Sequence, residues 1–326
     1  MTLSRALLRI GTRGSALALW QTERIRLLLA SAGHETERME IRTTGDLVPE
    51  VPLARIGSRA LFTKQIDDAL LDHRIDLAVH SLKDLPTQLP DGIVIGAIGQ
   101  REDPRDALVG RGPLRWGDVP EGAVIGTSSL RRRAQLLHYR PDLRIVDLRG
   151  NVDTRLAKLD SHPEWTAIVL ATAGLVRLGL DRRIGERLPP ELMSPAPGQG
   201  ALAVTVRGED LAVAAAVREA VHDSATALLV SAERAFLSRL EGGCQVPVGA
   251  YAELNAGERQ KVVRLHGRVI SQEGRTMVEG HQVGAVMADV DAIALGRSLA
   301  ERLLADGAGS ILAHARRTMA PAVTEP

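Results

Sequence analysis

Cys244 is the only cysteine in 326 residues, so no internal disulfide can form and cysteine-built zinc sites lack their ligands. Aromatic residues make up 2% of the chain, too few for the stacking platforms that hold single-stranded nucleic acid. No sign of charge dominates: 41 Lys+Arg against 40 Asp+Glu leave a formal +1. No whole-molecule field would therefore gather DNA, RNA or an anionic membrane. Nowhere do about 18 apolar residues run together, which excludes a membrane-spanning helix. The segment Met1–Ile10, interrupted by Arg5 and Arg9, is too short for a signal peptide, and the expected compartment is the cytoplasm. Lysine is scarce too. All but four of the basic residues are arginine, the planar fork that matches carboxylates and phosphates.

Hydrophobic residues at 44% and charged residues at 25% describe a folded globular chain, long enough for two or three domains. The first hundred residues alternate between strand and helix patterns. Strands are expected at Leu7–Ile10, near Glu40–Thr43, and at Ile75–His80 and Ile93–Ile98, with helices over Ala16–Ala30 and Leu61–Arg74. After the charged connector Arg101–Arg105 the same grammar restarts. Strands are expected at Ala107–Val109, Val124–Gly126, Arg144–Leu148 and Ala167–Ala171, with helices from Leu130 and Asp153. The proline-dense stretch Pro189–Pro197 suits an interdomain crossing, and Ala201–Val206 is a strand expected to return to the first sheet. A helical stretch over Asp210–Leu240, broken near His222–Ser224, leads to three antiparallel strands (Val246–Leu254, Val262–Ile270, Thr276–Val283). A last helix is expected over Asp289–Ala305. The pattern predicts an α/β chain with two doubly wound domains and a smaller α+β domain. Their ranges are 1–99 with 200–218, 105–194, and 220–326.

The most informative local conflict is Gly126-Thr127-Ser128-Ser129-Leu130-Arg131-Arg132-Arg133. Hydroxyl residues offer N-caps, yet three arginines crowd the first helical turn, where the macrodipole is already positive. Such a broken rule marks either a solvated basic turn or an anion site. Thr12-Arg13-Gly14-Ser15 and Arg149-Gly150-Asn151-Val152-Asp153-Thr154-Arg155 are further strand-to-helix junctions bearing arginine. Ligands of doubly wound folds bind beyond the carboxyl ends of strands, so these groups could converge on one cleft. His80-Ser81-Leu82-Lys83-Asp84-Leu85-Pro86 adds a carboxylate at the same edge. Asp84 reads as a general acid/base or cation stabiliser, or as a turn aspartate paired with Lys83; His80 reads as a satisfied core histidine. Cys244, behind Gly242-Gly243, is either a ligand attachment point or an inert buried thiol.

Together with Ala18-Leu19-Trp20-Gln21, Arg101 to Asp106, Pro197-Gly198-Gln199-Gly200 and Glu241 to Pro247, these segments resemble the porphobilinogen deaminases (hydroxymethylbilane synthases), in order from about residue 7 to residue 254. The resemblance implies two lobes like those of periplasmic binding proteins around a cleft, a third domain, and a dipyrromethane cofactor joined by a thioether to Cys244. Four porphobilinogens would be added head to tail with loss of ammonia, and hydroxymethylbilane released by hydrolysis. Asp84 matches the catalytic aspartate. Arg13, Arg131, Arg132, Arg149 and Arg155 match carboxylate-binding positions, with Ser15, Ser81, Lys83, Thr127, Ser128, Ser129 and Gln199 as supporting groups and no metal. Arg55, Arg59 and Phe62 fall in the family's mobile loop. There the chain departs from the family: lysines are commoner at the first two positions, and Ala60 stands where glycine is frequent. A monomer is expected, with no nucleic-acid or membrane partner and a possible functional hand-off to a uroporphyrinogen-III synthase. The rival from another class is a non-catalytic two-lobed polycarboxylate-binding protein, which leaves the third domain and the Cys244 loop unexplained. A nucleic-acid binder using Arg131–Arg133 conflicts with the neutral charge and sparse aromatics.

Overall fold

The computed structural model describes residues 7–43, 63–240, 247–255 and 261–319. Strands β1 (Leu8–Thr12), β2 (Thr36–Glu40), β3 (Leu77–Ser81) and β4 (Ile93–Ile98) come first in the chain. They are followed by β5 (Asp106–Val109), β6 (Val124–Gly126), β7 (Arg144–Val146), β8 (Ala167–Ala171) and β9 (Glu186–Arg187), and then by β10 (Leu202–Arg207). Two five-stranded sheets result, in the orders β2-β1-β3-β10-β4 and β7-β6-β8-β5-β9. Their plans are the same. In each, a central strand pairs in parallel with two neighbours, and the fourth position is taken by an antiparallel strand.

That antiparallel strand is the first one after the chain crosses from one sheet to the other. β5 follows the crossing at Arg101–Arg105, and β10 follows the return crossing past Pro197. The two crossings lie side by side, with the Glu102 amide donating to the Gly200 carbonyl at 3.0 Å. Register then fixes where they sit. Asp106 pairs with Ala171 and Leu202 with Ser81, so both crossings meet the carboxyl ends of the parallel strands, the place where α/β folds bind ligands. Gly198 and Gly200 hold φ of 75° and 90°, a region open to glycine at little cost. A Cβ on Gly200 would also press on the Glu102 carbonyl.

The third sheet, β11 (Val248–Leu254), β12 (Val262–Ile270) and β13 (Met277–Ala285), is antiparallel throughout. The helices Ser224–Arg239 and Asp289–Leu303 cover it, burying Phe236, Leu265 and Leu299 in a core of their own. The expected break near His222–Ser224 is present: the helix Leu211–Val221 stops, and Asp223 caps the next by accepting from the Thr226 amide at 2.7 Å. Several boundaries differ from expectation. β2 lies earlier than Glu40–Thr43, because it is an edge strand exposed at four of its five positions and so carries no apolar alternation. The helix after β7 begins at Val152, with Asn151 at its cap position. The last helix ends at Leu303, and the chain resumes helical form over Gly309–Met319 after a turn in which Gly307 has φ of 107°.

Glu233 ties the third domain to both crossings. It receives both ends of the Arg101 guanidinium at 2.7 and 3.0 Å, the Gly198 amide at 2.7 Å and the Ala252 amide at 2.8 Å, and it is 0% exposed. Removing one partner of a buried pair strands the other charge. Glu233→Gln should therefore lower stability by about 3–5 kcal/mol in urea unfolding; a loss within about 0.5 kcal/mol, the ordinary surface range, would show that the pair does not hold the domains.

Candidate active site

The conflict at the start of the helix Leu130–Tyr139 is resolved by a residue distant in sequence. Ser129 caps the helix, accepting from the Arg132 amide at 3.4 Å. Arg131 and Arg132 turn inward onto Asp106, the first residue of β5: Arg131 Nη1 donates to Oδ2 at 2.7 Å, and Arg132 Nη2 and Nε donate to Oδ1 at 2.7 and 3.1 Å. Arg133 alone is exposed. Burial pushes the Asp106 carboxyl upward in pKa, but the two guanidiniums outweigh it and hold the group well below the usual carboxylate range. Each of the two arginines thus neutralises a buried acid. Arg131 also donates to the Ser194 carbonyl and Arg132 to that of Val169. A guanidinium has five N–H donors, so both retain capacity beyond these bonds.

From Asp106 a hydrogen-bonded chain passes to the first lobe. Gln199, 0% exposed, donates to Asp106 Oδ1 at 3.0 Å and to the Pro104 carbonyl at 2.6 Å, and accepts from Lys83 Nζ at 3.2 Å. Lys83 precedes Asp84 on the short turn Leu82–Asp84 that ends β3, and Asp84 is exposed. Burial lowers Lys83 to about 8; Asp84 and Asp106 raise it, and Arg132 and Arg131 lower it further. Arg155, which donates from Nε to the Gly150 carbonyl at 2.7 Å, is lowered to about 10, first by burial and then by Arg132, with Asp84 opposing and Arg149 adding to the repulsion. Asp84, Lys83, Arg131, Arg132, Arg149 and Arg155 therefore share one electrostatic neighbourhood at the meeting of the two lobes. Arg13 is half-buried at the end of β1 and acts on His80.

Several expected hydroxyl groups are engaged locally. Ser15 caps the helix Ala16–Ser31, accepting from the Ala18 amide at 3.3 Å, and Ser81 accepts from Gln21 Nε2 at 2.8 Å. Thr127 is buried and accepts from the Ser129 amide at 3.2 Å. Ser128 accepts from the Leu148 amide and donates to Asp147 at 3.1 Å. Ser128 thereby braces β6 to the chain after β7. Cys244, Arg55, Arg59, Ala60 and Phe62 lie outside the described residues.

Comparison with known proteins identifies the family. The family described as "Porphobilinogen deaminase, dipyromethane cofactor binding domain" matches residues 8–215, and "Porphobilinogen deaminase, C-terminal domain" matches residues 227–305. The chain belongs to the porphobilinogen deaminase family. A porphobilinogen deaminase of Desulforudis audaxviator is 50% identical over 94% of this chain and 97% of that protein. One from Brevibacillus brevis is 46% identical over 95% and 97%. Among solved structures the chain is similar to the methionine binding protein MetQ, with 13% identity, a TM-score of 0.42, and coverage of 66% of this chain and 89% of that one.

Asp106 and Glu233 hold the two crossings between the lobes. Reading the residues in order singles out neither Asp106 nor Glu233 as the holders. The available signal was an acidic residue opening an otherwise apolar strand, and another on the buried face of a helix. His80 is the core histidine expected. It is buried, its Nε2 lies 3.1 Å from Thr205 Oγ1, and burial, with Arg13 adding, lowers it from 6.5 to about 4. The unfolded chain therefore binds the proton first as pH falls, and stability is lost through that window. Relative to His80→Gln, the wild type should lose about 3 kcal/mol between the two values in urea titrations; a difference independent of pH would refute the buried neutral ring.

Proposed function

We propose that this chain is a transferase of the hydroxymethylbilane synthase type. It adds four porphobilinogens head to tail to a dipyrromethane primer, with ammonia leaving at each addition and hydroxymethylbilane freed by hydrolysis. The observation that carries this reading is the surplus of cations where the lobes meet: Arg132 acts on both Lys83 and Arg155, Arg131 on Lys83, and among the described residues Asp84 and Asp106 are the acids set against them. Crowding like charges is costly unless a polyanion completes the site. Each pyrrole of the growing chain carries an acetate and a propionate, so the donor set fits the dipyrromethane as well as the substrate. Membership in a family defined by a dipyrromethane-binding domain disfavours the non-catalytic polycarboxylate binder.

When bound, the dipyrromethane supplies the pyrrole carbon on which the chain is extended; its attachment through the Cys244 sulfur belongs to this proposal. Arg13, Arg149 and Arg155 hold ligand carboxylates. Arg131 and Arg132, fixed by Asp106, offer their remaining N–H groups from an already ordered position, which saves reorganisation during reaction. Lys83, poised near 8, gains its full charge as carboxylates arrive. Asp84 accepts the pyrrole N–H of the incoming substrate and stabilises the positive charge that spreads onto that nitrogen as ammonia departs. Three domains divide the work, with ranges 1–99 plus 200–218, 105–194 and 220–326, a division supported by the three separate sheets. The protein acts as a cytoplasmic monomer, and no helix among the described residues is long and apolar enough to cross a membrane.

Incubation with porphobilinogen should yield ammonia and a linear tetrapyrrole; failure of freshly purified holoenzyme to do so would refute the reading. Intact-mass measurement should show a two-ring adduct that is lost in Cys244→Ala, whereas the bare sequence mass in wild type would remove the attachment. Asp84→Asn should keep the wild-type unfolding midpoint and lose about 10²-fold or more in kcat. Near-normal turnover would exclude Asp84 from the chemistry.

A further inference from the structure

A second concave site lies away from the cleft, between the first lobe and the third domain. Its volume is about 330 Å³, and β4 together with the helices Leu211–Val221, Ser224–Arg239 and Asp289–Leu303 contributes its walls. That size falls in the range of small-molecule pockets, roughly 300–1,000 Å³. Its floor is apolar, built from Ile95, Ile98, Val230 and Ile293. Its charged lining is one-sided: the guanidiniums of Arg218, Arg234 and Arg297 face a single carboxylate, Asp289. His222 adds no charge near neutral pH, because burial and then Arg218 lower its pKa while Asp289 and Asp223 oppose them. Its Nδ1 accepts from the Ile98 amide at 3.4 Å, which leaves the proton on Nε2.

Arg234 connects this cavity to the chemistry. Its Nη2 donates to the Pro86 carbonyl at 2.7 Å and its Nη1 to the Leu85 carbonyl at 3.3 Å, so it grips the chain immediately after Asp84. Arginine forks bind carboxylates in bidentate fashion, and an apolar floor beneath them selects a flat hydrophobic body. We propose that this cavity is a second binding site, specific for a small ring-bearing carboxylate, and that its occupant competes for Arg234 and so loosens the segment that carries Asp84. The occupant's anionic group enters past Arg218 and Arg297 at the exposed rim and reaches Arg234, and its ring lies over Ile98 and Val230. The site is independent of how the main cleft is read, since its occupancy is measured without turnover.

The test uses holoenzyme and 4-fluorophthalate followed by ¹⁹F NMR, with Arg218→Ala/Arg297→Ala as the main variant because both side chains are exposed and their loss leaves the fold intact. Saturable binding weakened by about tenfold or more in the double variant is expected. Ser231→Phe, which fills the cavity without removing charge, should weaken it too. Absence of saturable binding, or equal affinity in the double variant, overturns the site; the latter would put the probe in the main cleft. Hydrogen exchange at residues 82–89 should quicken on binding in the wild type, and unchanged exchange at saturation overturns the link to Asp84.

Discussion

Buried carboxylates at the two crossings are the constraint on which this structure depends. A guanidinium taken out of water must meet an opposite charge and satisfied hydrogen bonds, or the site unfolds around it. Asp106 and Glu233, both 0% exposed, meet this need for Arg131, Arg132 and Arg101. They do so at the one place where the chain passes between sheets. Asp106 opens the strand that enters the second sheet. Glu233 binds an atom on each crossing, Arg101 on the outward one and Gly198 on the return.

The consequence for chemistry is preorganisation. Arginines on a solvated turn would have to be ordered at each substrate addition. Here two are already fixed; both repel Lys83 across the interface, and Arg132 repels Arg155 within its own lobe. Gln199 adds a neutral link, accepting a hydrogen bond from Lys83 and donating one to Asp106. The lobes are thus joined by hydrogen bonds at their hinge while Asp84 stays open to solvent.

The third domain acts on both lobes. Through Glu233 it holds the crossings. Through Arg268, which is buried and donates to Gln135 at 2.9 Å and to the Glu191 carbonyl at 2.7 Å, it grips the helix that bears Arg131 and Arg132. Ala250 adds a backbone bond to Pro195 at 3.0 Å. These buried polar contacts fasten the third domain to both lobes rather than leaving it trailing from them.

Much of this was legible in the sequence. Apolar runs located most strands of the sheets, because buried parallel strands are hydrophobic on both faces. The edge strand Thr36–Glu40 escaped, because exposure removes that signal. The rule broken by Arg131-Arg132-Arg133 is resolved by Asp106 rather than by solvent alone, and the ordered motifs marked the family. What the sequence could not disclose was partnership. Asp106 lies 25 residues before Arg131 and Glu233 lies 132 residues after Arg101, and no local pattern distinguishes these acids from solvated ones. Residue types and their order determined which chemistry the chain could attempt. Only the folded arrangement decided which charges are spent on holding the lobes and which remain for a ligand, because neutralisation depends on distance in space.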